Sequence, residues 1–400
     1  MSVSVCFYFQ VHQPFRLRKN YNFFSIGPDH YYEDDKINRE ILYKIIEKSY
    51  IPTNNLMLKL IKKYNGQFKI AFSISGIIIE QLEKYAPYVL DSFRRLVDTG
   101  CVEIINETYY HSLCFLKSKE EFKEQVTFHK EKMKSLFGVT PTTFRNTELI
   151  YNNELAVEIE KMGYKTILAE GVERVLGWRS PNFVYYPSVA PKLKLLLKNY
   201  RLSDDVAFRF SNGGWPEYPL TADKYANWLH AVAGNGEVIG LFMDYETFGE
   251  HQWADTGIFK FLEVLPEKIL AHPDYCFQTP AEAAATYPPV GPFDSREYIS
   301  WADIDRDLSA WLGNPLQDSA LDFAYSLEKP VKESRDPNLI HTWRKLLTSD
   351  HYYYACTKWF NDGDVHKYFN PYDTPYEAYM IYINVLNDLK LSLRDRGIDC

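Results

Sequence analysis

The run at 238–253, Val-Ile-Gly-Leu-Phe-Met-Asp-Tyr-Glu-Thr-Phe-Gly-Glu-His-Gln-Trp, constrains this chain more than any other stretch. It opens almost wholly apolar and of strand length, the pattern of a strand buried on both faces, as in a parallel sheet. It then ends abruptly in acids, a histidine and a tryptophan. Asp244 and Glu246 are two apart, so an extended backbone points both to the same side. Gly249 lets the chain turn away. Polar groups at the C-terminal end of a buried parallel strand are where α/β barrels and open α/β sheets place their chemistry. A loop solvating its own acids explains one such residue; Asp, Glu, His and Trp within ten residues favour a site.

The same grammar recurs along the chain. Residues 3–9 read as a first strand ended by Gln10-Val11-His12-Gln13-Pro14, since proline fixes φ and lacks a donor. A helical pattern at 37–64 leads to a strand at 68–74. Glu80 falls in the next helical segment, at 77–85. A strand at 102–105 runs into Asn106-Glu107-Thr108-Tyr109-Tyr110-His111, and one at 142–145 delivers Asn146-Thr147-Glu148. Further strands are expected at 165–169, 183–186, 193–197 and 275–278, with a helix at 256–271. A proline-rich turn (Tyr287-Pro288-Pro289-Val290-Gly291-Pro292) is the one candidate boundary. Beyond it only helical patterns follow, at 303–312, 316–328, 337–347 and 375–393. Strands alternating with helices, then helices alone, predict an α/β barrel over 1–290 with a helical C-terminal region over 291–400.

With 400 residues the chain can bury a large core. A net charge of -8 argues against a nucleic-acid or anionic-membrane surface. Aromatics at 16% exceed what is ordinary, and exposed rings suit the flat apolar faces of sugars. The six cysteines have no C-x-x-C or framework spacing, which fits a reducing compartment. The apolar start is too short and polar for a signal peptide, and no run is long enough to span a bilayer. A cytoplasmic protein is the expectation.

His12, His111, Glu148, Asp244, Glu246 and His251 thus collect at expected strand ends. Two carboxylates on different strands of one barrel face can flank a glycosidic bond, about 5–5.5 Å apart in retaining enzymes. The same histidines with Asp244 are also plausible zinc or manganese ligands, but no His-Glu-x-x-His or His-x-x-x-His occurs. A serine-nucleophile elbow and phosphate-loop glycine patterns are absent as well.

His12-Gln13-Pro14, Phe144-Arg145-Asn146-Thr147-Glu148 and the run from Met243 to His251 resemble three signature regions of glycoside hydrolase family 57. Residues 300–314, Ser-Trp-Ala-Asp-Ile-Asp-Arg-Asp-Leu-Ser-Ala-Trp-Leu-Gly-Asn, resemble the family's last region, and Gly76 to Glu80 loosely match its second. The resemblance spans residues 3–325 and is to the α-amylase-type members. It implies a (β/α)7 barrel with a helical C-terminal part, and retaining cleavage or transfer of α-glucosidic bonds without metal or cofactor. It also implies Glu148 as nucleophile and Asp244 as general acid/base. His12, Glu80, His111, Glu246 and His251 would line the donor-sugar subsite, and Trp253, Trp301, Asp305 and Trp311 would contact the glucan. An apolar strand end suits an acid that must stay protonated, and Arg145 is placed in sequence to keep Glu148 ionised. A 4-α-glucanotransferase, a weakly catalytic carbohydrate-binding protein, and a metal-dependent deacetylase or mannosidase on a related barrel remain the alternatives.

Overall fold

The computed structural model describes residues 2–358 and 370–399. Its strands are β1 (Val3–Val11), β2 (Ile70–Ile74), β3 (Val102–Ile104), β4 (Thr143–Arg145), β5 (Thr166–Glu170), β6 (Tyr186–Pro187), β7 (Lys194–Lys198), β8 (Val238–Asp244), β9 (Tyr275–Phe277) and β10 (Pro292–Phe293). The main sheet runs β3-β2-β1-β8-β7-β5-β4, every pair parallel. Just past β3, Asn106 bridges Phe144 of β4, exchanging backbone hydrogen bonds with Thr143 and Arg145 at 3.0 and 2.9 Å. The two edges thereby meet, and seven parallel strands make a nearly closed barrel. The short β9 pairs only the first residues of β1, while β6 and β10 pair with each other outside the barrel.

Strand parity explains what faces the barrel axis. In β1, Val5, Phe7 and Phe9 pack outward with Ile239, Leu241 and Met243 of β8 under the surrounding helices. Cys6 and Tyr8 turn inward with Phe242. The register pairs Gln10 with Asp244. Two residues beyond the inward Phe242, Asp244 therefore points into the barrel at its C-terminal end.

The expected helix at 37–64 is three segments: Asp35–Ile45, a π turn at Ile46–Tyr50, and Ile51–Lys63. Pro52 has no N–H for the carbonyl of Lys48, four residues earlier, and the ladder widens there. The helix expected at 303–312 does not form. Asp303 and Arg306 hold φ of 58° and 49°, outside the right-handed region, and the segment is a sequence of turns. Arg174 fixes it by donating to the carbonyls of Asp305 and Arg306. The expected helices at 316–328, 337–347 and 375–393 are present as Pro315–Ser326, Pro337–Leu346 and Pro375–Asp395. They share a second apolar core in which Trp343, Tyr382 and Val385 pack with Leu17, Tyr32 and Leu113 from barrel loops. The C-terminal region is thus seated on loops at the C-terminal end of the barrel strands.

Candidate active site

The mouth of the barrel holds a cavity of about 570 Å³ lined by Glu148, Asp244, His12, His111, Glu246, His251, Trp301 and Trp311, among others. Eight of the eleven residues expected at the site are thus brought together. Glu80, Trp253 and Asp305 are not among its lining residues. Glu80 accepts from Tyr109 Oη at 3.0 Å and pairs with His341 at 3.4 Å. Trp253 lies beneath the Lys48 ammonium, half exposed, and Asp305 pairs with Lys358 at 2.8 Å on the surface.

Glu148 follows β4 with φ 58° and ψ 24°, a left-handed conformation costly for a residue with a Cβ. Three donors hold its carboxylate: His111 Nε2 at 3.0 Å and Ser349 Oγ at 3.2 Å on Oε1, and Trp301 Nε1 at 2.7 Å on Oε2. The Trp301 backbone N–H also donates to the Glu148 carbonyl at 3.2 Å. Burial would raise this carboxyl's pKa, but the hydrogen bond and charge of His111, with the Arg145 guanidinium, hold it below the ordinary value.

His111 bridges two acids, its Nδ1 lying 2.9 Å from Glu107 Oε2. Burial disfavours its charge, yet the hydrogen bonds to Glu107 and Glu148 push it up to about 9, so the ring is an imidazolium. Glu107, fully buried, accepts also from Gln10 Nε2 at 3.1 Å. Burial opposes its ionisation; His111 and Arg145 overcome this and hold it at about 2. Arg145 is wholly buried, 3.8 Å from Glu107, with its guanidinium 4.7 Å from the centre of the Trp301 ring.

His12 stacks on His111, with ring centres 3.8 Å apart. Burial and the charge of His111 lower its pKa, so it stands neutral. A neutral ring satisfies both neighbours: Nε2–H donates to Asp350 at 2.9 Å and Nδ1 accepts from Ser75 Oγ at 2.8 Å.

Asp244 is set differently. Its carboxyl takes no hydrogen bond from the side chains of the described residues, and burial, then the charge of Glu148, push it up to about 6. Glu246, hydrogen-bonded by Tyr50 Oη and Gln13, is pushed up to about 8 by burial and by Asp244. Two carboxyls facing one cavity are therefore driven in opposite directions: Glu148 toward the anion, Asp244 toward the acid. Such divergence marks acid and base assignments. Among the described residues no group of three His, Cys, Asp or Glu is arranged to hold a metal ion.

Sequence reading missed Glu107, Ser349 and Asp350. Glu107 lies in the stretch that follows β3, where its position one residue past Asn106 was a usable signal. Ser349 and Asp350 carry none, because they reach the site from some 200 to 340 residues away in the chain. They are delivered by the segment Ser349–Tyr353, which docks where Ser349 N donates to the His111 carbonyl at 2.9 Å.

Comparison with known proteins places the chain in a family. The sequence model of glycosyl hydrolase family 57 matches residues 6–295. A Methanocaldococcus jannaschii protein provisionally named an alpha-amylase is 44% identical over 402 residues, covering 98% of this chain and 85% of that protein. A branching enzyme from Pyrococcus horikoshii shares the fold with a TM-score of 0.70 at 13% identity, covering 100% of this chain and 92% of the other. A 4-alpha-glucanotransferase from Thermococcus litoralis does so with a TM-score of 0.65 at 17% identity, over 88% of this chain and 56% of the longer enzyme. With a match over most of its length and a close relative of similar size, the chain belongs to glycosyl hydrolase family 57 and is a glycoside hydrolase.

Proposed function

We propose that the protein hydrolyses α-1,4-glucosidic bonds of starch- or glycogen-type glucans with retention, through a covalent glycosyl-enzyme. The observation that carries this reading is the opposed tuning of Glu148 and Asp244 across one cavity. In the first step a Glu148 carboxylate oxygen attacks the anomeric carbon as Asp244 gives its proton to the departing glycosidic oxygen. In the second step Asp244, now a carboxylate, takes a proton from water, whose oxygen attacks the same carbon and releases Glu148. Trp301, Ser349 and His111 aim the nucleophile, and their hydrogen bonds exist before substrate arrives, which limits reorganisation. The near relative's alpha-amylase name favours hydrolysis over transfer.

The test is time-resolved proton NMR of maltoheptaose digestion, with Glu148→Gln and Asp244→Asn in parallel. The expected first product is the α-anomer, with chains shorter than the substrate only. Glu148→Gln should lose about three orders of magnitude or more in rate, and Asp244→Asn about 10²–10⁴-fold. A β-anomer formed first would overturn the retaining mechanism, and chains longer than heptaose would make the enzyme a transferase.

A further inference from the structure

Two large apolar side chains stand in solvent at the cavity mouth. Phe208 is 52% exposed and Ile304 75% exposed, and both line the cavity that holds Glu148 and Asp244. Neither belongs to the carboxylate machinery. Scattered exposed apolar residues are ordinary, but these two are held out by built structure.

Ile304 sits between Asp303 and Arg306, the two left-handed residues of the loop at 301–309. Strained backbone of this kind persists only where its surroundings impose it, and here they do. Arg174 donates to the Asp305 and Arg306 carbonyls at 2.7 and 2.8 Å, and Lys358 donates to Asp305 Oδ2 and Ser309 Oγ at 2.8 and 2.5 Å.

Phe208 caps the helix Tyr200–Ala207, its N–H donating to Asp204 at 2.9 Å. The preceding carbonyl, of Ala207, accepts from the buried Gln252 amide at 2.9 Å. The two walls are also tied to each other. The Arg306 guanidinium lies 3.8 Å from the centre of the Tyr200 ring and 3.7 Å from Asp204.

We propose that Phe208 and Ile304 form a rigid apolar clamp that seats one glucosyl ring outside the pair straddling the cleaved bond, and so select longer malto-oligosaccharides. The occupant follows from continuity: a chain threaded past the carboxyls must leave through this mouth, and the CH faces of glucose are the apolar surface that such side chains cover. The clamp rests on the α-glucan reading above.

The test is calorimetric titration of the full-length Glu148→Gln protein, and of the same protein carrying Phe208→Ala or Ile304→Ser, with maltose and with maltoheptaose. Each added substitution should raise the maltoheptaose Kd about tenfold, the order expected from removing one apolar contact, and change the maltose Kd less than about twofold. Equal weakening for both sugars, or none for maltoheptaose, would overturn the clamp alone. A parent protein that binds neither sugar would overturn the α-glucan reading and the clamp with it.

Discussion

At the scale of single residues, the site works by giving two carboxyls unlike surroundings. Glu148 has three donors, one of them the His111 imidazolium; Asp244 has burial and a nearby negative charge. The kcat/KM profile should therefore be bell-shaped. Activity should rise as Glu148 ionises, below its ordinary value, and should fall as Asp244 loses its proton near pH 6. His111→Asn removes the cation that favours the Glu148 anion, so the acid limb should move to higher pH; a limb that stays in place would contradict the role of His111. The strand-end positions of Glu148 and Asp244 were legible in the sequence, but their pairing was implied only by the resemblance of the runs around them to family signature regions. The role of His111 as a bridge was not, for it depends on Glu107 lying across from Glu148.

At the scale of elements, alternation of strands and helices was legible because inward and outward faces of a parallel barrel are both apolar. Each failure has a specific cause. The segment at 303–312 has the composition of a helix turn, yet Asp303 and Arg306 are pulled into left-handed conformations by partners far off in sequence. The helix expected at 37–64 widens into a π turn where Pro52 removes a donor, and that turn carries Tyr50 to Glu246. The same turn presses against the loop after β8. A Cβ on Gly249, at φ 106°, would lie 1.9 Å from the Lys48 carbonyl oxygen. Gly249→Ala should cost about 2–4 kcal/mol, from strain and overpacking together. Gly257→Ala, at φ 87° with open space around it, should cost about 1–2 kcal/mol. Thermal denaturation of both variants checks this; equal losses would show that the contact with Lys48 is unimportant.

At the scale of the whole molecule, the barrel supplies the carboxyls and the C-terminal region completes their setting. Asp350 accepts from His12 and Ser349 donates to Glu148, although 338 and 201 residues separate the partners. No local pattern announces such contacts, which is why those helices carried no readable motif while the barrel did. The polypeptide must fold as one body before Glu148 has all three of its donors. The proposed mechanism turns on a Glu148 carboxylate oxygen forming the bond to the sugar's anomeric carbon. The most direct measurement is mass spectrometry of peptic fragments after incubating Asp244→Asn, slow to release its intermediate, with an activated α-glucosyl fluoride. The proposed mechanism predicts one hexosyl adduct, on the fragment and side chain of Glu148. An adduct on another residue, or turnover with no adduct and a β-configured product, would contradict it.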